Sequence, residues 1–208
     1  MTVAVQIERR VQQLADAGVA GLAGLGPGEL AALADGLEVE EGDVVAVHPS
    51  LVPATALAGL LRLGEKRGFV VEDMTDLDEF APVEGVSLPD RPLYVVRDVR
   101  RGDEMASWSP DEALPSITSA GRSPLTVSEG ISWLLQQPEV LEKNHCFMTV
   151  GSRRPKGGGL DTRVPALWIS GGTGRDGKER RGAPKVGWCW AGNRHTWLGF
   201  ASTAGRAG

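Results

Sequence analysis

At 208 residues, with 41% hydrophobic and 24% charged side chains, the chain has the composition of a globular protein able to bury a proper core. It holds no run of about 18 apolar residues, which excludes a membrane-spanning helix, and its first residues lack the basic-then-apolar pattern of a secretory leader. The net charge of −5 conceals an asymmetry: residues 1–150 carry 11 Lys+Arg against 24 Asp+Glu, whereas residues 151–208 carry 11 against 3. A cationic C-terminal quarter on an acidic body either receives an anionic ligand or is neutralised by that body. Two Cys give no disulfide framework, and free thiols point to a cytoplasmic protein.

The pattern predicts an α+β fold: N-terminal helices and a small α/β-like part, followed by a Trp-rich antiparallel sheet. Residues 1–40 read as a helical N-terminal segment and 41–208 as a single α+β domain. Val5, Ile7, Val11 and Leu14 fall near helical spacing and predict a helix over Val5–Ala17. Pro27 opens a second helix after a Gly-rich break, with Leu30, Leu33 and Leu37 on one face. In the α/β-like part, 41–105, a strand Val44–Val47, a helix Pro53–Leu63 and a strand Phe69–Val71 predict parallel pairing, and Leu93–Val96 adds a third strand. The acidic run Glu72, Asp73, Asp76, Asp78 and Glu79 fits no calcium loop and reads as solvated surface. His48, before Pro49 at a strand end, reads as structural.

Residues 106–143 read as helices. Ser109-Pro110-Asp111-Glu112 and Thr126-Val127-Ser128-Glu129 are capping boxes, so Glu129 is a cap before it is a catalytic carboxylate. Pro115 is expected to stop or kink the first of these helices, and Pro138 to break the second. Over 144–202 the period changes to two. His145–Val150, Val164–Ser170, Lys185–Ala191 and Thr196–Ala201 predict four strands, the last two joined by a hairpin over Gly192–His195. The tail Thr203–Gly208 is expected to fray.

Chemistry concentrates in Lys185–Gly199, which holds three of the six Trp, one of the two Cys and one of the three His. Trp188 and Trp190 share one face of a strand and Cys189 takes the other. With Trp168 and Trp197 they form either a stacking platform or an aromatic core. Gly172–Lys178 reads GTGRDGK, but Glu179 stands where a P-loop needs Ser or Thr, and no helix can follow through Gly182 and Pro184. Cys146, Cys189, His195 and either His145 or His48 lack zinc-ligand spacing. Cys189 with His195 makes a thiol–imidazole pair geometrically possible, oriented by Asp161 or Glu129, although free Cys are commonly small core residues.

The strings GRSPLTVSEG (121–130), CFMTVGSRR (146–154), RVPALWIS (163–170) and GWCWAGNRHTWLG (187–199) resemble an uncharacterised family, a domain of unknown function common in actinobacteria. The resemblance runs from about residue 40 to Arg206 and implies kinship without a mechanism. Gly171–Pro184 looks longer than the pattern of the family it resembles, which argues against Lys178 or Arg180 as functional residues.

Three functions compete. The leading one is binding of an anionic planar ligand, a phosphate-bearing small molecule such as a nucleotide, or single-stranded nucleic acid. Arg153, Arg154 and Arg194 would neutralise it, Trp190 or Trp197 would stack, and Asn193 and His195 would hydrogen-bond. The second is an enzyme with His195 as general acid or base and Cys189 or water as nucleophile. The third is a protein-interaction module presenting the Trp face. The sequence names no cofactor and no membrane partner.

Overall fold

The computed structural model describes residues 3–208, with side chains from residue 5. Its centre is helix α6, numbered in chain order, Val127–Gln136. Thr126 caps this helix: its Oγ1 accepts from the Glu129 N–H, and the Glu129 carboxylate accepts from the Thr126 N–H at 2.8 Å. Ile131, Trp133 and Leu134 are buried, and so are Ser128, Ser132 and Gln136. A helix buried on all sides must pack on more than one layer, and α6 lies between two sheets.

The first sheet has the order β1 (Val44–Val47), β3 (Leu93–Arg97), β8 (Gly205–Ala207), antiparallel throughout. Side chains of α6 satisfy the outer edge of β1. Gln136 accepts from the Val45 N–H and donates to the Val45 carbonyl at 2.7 Å, while Ser132 Oγ accepts from the Val47 N–H.

Five strands form the second sheet, in the order β7 (Leu198–Phe200), β4 (Cys146–Met148), β5 (Arg163–Ile169), β6 (Pro184–Trp190), β2 (Phe69–Val70). Gly130 lets α6 approach this sheet: a Cβ there would lie 2.7 Å from Thr149 Cγ2 and 3.2 Å from Leu167 Cδ1. Phe147, Leu167 and Val186 join α6 and the first sheet in one core. Helix α1 (Val3–Ala17) joins the same core through Leu14 and donates from Gln13 to the Gln136 carbonyl at 2.8 Å, and the short helices α2 (Val19–Leu22) and α3 (Pro27–Ala32) follow it and add Val19 and Leu30.

The α+β class holds, and five local expectations change. First, β1 and β2 do not pair. The two edges of β1 are already taken, by β3 and by the α6 side chains, so Phe69–Val70 runs parallel to β6 in the other sheet. Second, the expected helix Pro53–Leu63 is only α4, Ala54–Ala58. Arg62 closes its end by donating to the Gly59 and Leu61 carbonyls, and Arg62–Leu63 then pairs with Lys66–Arg67.

Third, Pro115 sits inside α5 (Pro110–Ser119) without ending it. It removes one bond, to the Asp111 carbonyl in the exposed first turn, where water can substitute. Fourth, the second sheet is mixed, because β7 runs parallel to β4 and β2 parallel to β6. Fifth, the tail is ordered as β8, anchored by the ion pair of Arg206 with buried Glu129. None of the described helices is long and apolar enough to cross a membrane.

The charge asymmetry is largely resolved inside the molecule. Arg154 pairs with Asp76 at 2.5 Å and Glu79 at 2.7 Å, Arg163 with Asp76 and Asp161, Arg175 with Asp73, and Arg206 with Glu129. Hydrogen bonding to Arg163, opposed by burial, holds the Asp161 carboxyl well below the usual range and lowers that of Asp76. The same carboxylates raise the Arg163 guanidinium further.

Candidate functional site

Strand register fixes the faces of the second sheet. Trp168 pairs with Lys185, Ala166 with Gly187 and Val164 with Cys189, while Met148 and Cys146 oppose Ala166 and Trp168. These residues share one face. Val186, Trp188 and Trp190 take the other, so Trp168 does not continue the row of Trp188 and Trp190 as a platform would need.

The connection 191–197 builds the site. Trp190 ends β6 opposite Arg163, whereas Leu198 begins β7 beside Cys146, which itself opposes Trp168 at the other end of β5. The chain must therefore pass from one end of β6 diagonally over β5 and β4 to the far edge of the sheet. The expected hairpin is excluded, because β6 and β7 are not neighbours. Backbone bonds from Ser107 N–H to the His195 carbonyl and from Cys146 N–H to the Trp197 carbonyl fix the crossing at 3.0 and 2.9 Å.

Beneath and beside this crossing lies an open cleft of about 540 Å³. Cys146, Ala166 and Leu198 form its buried floor and Trp168 and Trp197 supply aromatic surface, while Trp188, whose ring lies with Trp190 on the opposite face, only borders it. His195 stacks on Trp197 with ring centroids 4.6 Å apart and planes 13° from parallel, leaving Trp197 50% exposed. Asn144 and His145 add polar groups at the rim.

Two of the Trp are held by polar groups. Lys185 Nζ lies 4.6 Å above the Trp168 ring and is itself fixed by Asp176 at 2.8 Å. Gly187 lies against the same ring: a Cβ there would come within 2.6 Å of Trp168 Cη2. Trp188 Nε1 donates to Asp73 at 3.1 Å, and its ring meets Trp190 edge-on at 4.5 Å.

The expected site residues separate into two groups. Cys189, His195 and Trp197 line the cleft. Asn193 lies in the crossing segment, outside the lining. Trp190 is exposed on the opposite face, outside the lining. Arg153, Arg154 and Arg194 also lie outside it. Arg153 is buried, donates to the Asp161 carbonyl and faces Asp111; Arg154 is paired with Asp76 and Glu79; Arg194 is paired with Glu112. Backbone and Arg194 hydrogen bonds lower the Glu112 carboxyl accordingly.

Burial pushes the Cys189 thiol up, only partly offset by the Trp190 backbone and Asn193. Burial, reinforced by Cys189, pushes Cys146 higher still. Neither thiol is a ready nucleophile. Among the described residues no three His, Cys, Asp or Glu side chains gather as a metal site. Sequence reasoning missed Lys185, Asp176 and Asp73 as supports for the Trp rings. The signal available for one of them was Gly187, a strand glycine beside a Trp-rich run, which marks a close approach.

The chain belongs to a family of unknown function, DUF5701, whose model matches residues 13–208. No curated protein and no solved structure matches it.

Proposed function

We propose that this member of the family binds a small planar ligand in the aromatic cleft under the 191–197 crossing. The observation that carries the reading is the cleft itself: about 540 Å³, with Trp168, Trp197 and His195 around a floor of Cys146, Ala166 and Leu198. That volume lies in the usual range for small-molecule sites, roughly 300–1,000 Å³. A planar ring can slide over the exposed face of Trp197, while His195, Asn144 and His145 offer hydrogen bonds.

The nucleotide and single-stranded nucleic-acid readings draw less support. Arg153, Arg154 and Arg194, which would have neutralised phosphates, are each engaged by carboxylates. Saturation-transfer NMR with a panel of planar heterocycles tests the proposal. Binding is expected for the whole chain and is expected to fall at least tenfold in Trp197→Ala. Binding unaffected by that change, or no binding at all, overturns it. Binding that collapses between low and physiological salt would restore nucleic acid as the ligand.

His195 and Cys189 line the same cleft, which favours acid–base chemistry at His195 as a second reading. The raised Cys189 thiol makes water the better nucleophile there. Turnover of a bound ligand, lost in His195→Gln with binding retained, would establish it.

A further inference from the structure

A second chamber of about 340 Å³ adjoins the aromatic cleft and shares Trp168 and Trp188 with it. Its charged lining comes from two segments. Glu72 and Asp73 follow β2, and Arg175, Asp176, Arg180 and Lys185 belong to the loop 171–184 and the start of β6. Most of this charge cancels locally. Asp176 binds Lys185 through both oxygens at 2.8 Å and accepts from Ser170, while Asp73 pairs with Arg175 and accepts from Trp188.

One charge of each sign remains without an ionic partner among the described residues. Arg180 lies over the Phe69 ring at 4.4 Å and meets no carboxylate, and Glu72 meets no cation. A lone phosphate would bring two negative charges to a chamber whose carboxylates and cations are equal in number. A group carrying one positive and one negative charge suits both leftover partners.

Resting on the planar-ligand reading, we infer that the ligand is an aromatic α-amino acid or a close zwitterionic analogue. Its ring occupies the Trp cleft. Its carboxylate meets Arg180, whose guanidinium is pre-set by Phe69, and its ammonium meets Glu72. Trp168, which lines both chambers, stands at the junction of ring and head group.

Isothermal titration of the full chain with indole, indole-3-propionate, tryptamine and L-tryptophan separates the parts. L-Tryptophan is expected to bind at least tenfold more tightly than any of the other three. Arg180→Ala is expected to bring L-tryptophan down to the level of tryptamine, and Glu72→Gln to the level of indole-3-propionate, with circular dichroism unchanged. Indole binding is expected to survive both changes and to be lost in Trp197→Ala. If all four bind equally, or one singly charged analogue matches L-tryptophan, the zwitterion is refuted while the planar-ligand reading stands. Tighter binding of an aryl phosphate than of L-tryptophan refutes it as well. If none of the four binds, both readings fall.

Discussion

Replacing Arg206 with Met is expected to destabilise the fold by about 3–5 kcal/mol, the range for leaving a buried charge without its partner. The side chains of Arg206 and Glu129 are 6% and 0% exposed. They meet through two bonds, Nε to Oε1 at 2.5 Å and Nη2 to Oε2 at 2.8 Å, and Tyr94 donates to Oε1 at 3.0 Å. Burial works against the Arg206 charge, and Glu129 more than reverses this, so the guanidinium is held protonated. Without it the carboxylate keeps only neutral donors. It cannot swing out to water, because the same group closes the N-terminus of α6. For a chain of this size, roughly 2–4 °C per kcal/mol translates the loss into a fall in Tm of roughly 6–20 °C. Urea unfolding at pH 7 measures it directly. Adding Glu129→Gln to Arg206→Met removes the orphaned charge and is expected to restore much of the stability. A single-variant loss below about 1 kcal/mol, the scale of a surface pair, would refute the argument. So would a double variant as unstable as the sum of the two singles.

Three further outcomes follow from the same geometry. Gly130→Ala is expected to destabilise by about 1–3 kcal/mol, since overpacking against Thr149 and Leu167 exceeds the gain of about 1 kcal/mol in helix propensity; a more stable variant in urea would show that α6 can move away from the sheet. Asp76, Asp98 and Asp161 have carboxyls lowered chiefly by hydrogen bonds from Arg163, Arg122 and Arg163 respectively. Their stabilisation is therefore full above the ordinary carboxylate range, near pH 4, and is lost as pH falls through the lowered folded values. Asp161→Asn should be less stable than the parent at pH 7 and converge with it in acid, and an equal deficit at both would contradict the linkage. Cys189 should react with iodoacetamide more slowly than a free thiol at pH 7.5 and accelerate as pH rises; rapid labelling at neutral pH would revive the thiolate mechanism.

Local signals in the sequence were reliable wherever one residue's chemistry determines its neighbourhood. Thr126 with Glu129 and Ser109 with Glu112 are capping boxes in the structure, and period-two alternation places the four C-terminal strands within a few residues. Partner choice was not legible. Val44–Val47 and Phe69–Val70 flank a helix, which favours parallel pairing. Gln136 lies 91 positions from Val45, and no local pattern announces that its amide seals the β1 edge. The same holds for the cations. Arg153, Arg154 and Arg194 look available in sequence because their carboxylate partners lie tens of residues upstream.

The misread connection is also the origin of the site. A hairpin over Gly192–His195 would have left the sheet face bare or covered it with an ordinary core. By crossing the sheet instead, the chain suspends His195 and Trp197 above Cys146 and Ala166, with backbone bonds at both ends of the span. Arg194 ties the middle of the span to Glu112 on α5. Lys185 and Gly187 fix Trp168 from the sheet side. The cleft is therefore held open by the fold itself, which under the proposed reading leaves little ordering entropy to be lost on binding. Under the proposed reading, the exposed ring of Trp197 is the surface on which the ligand stacks.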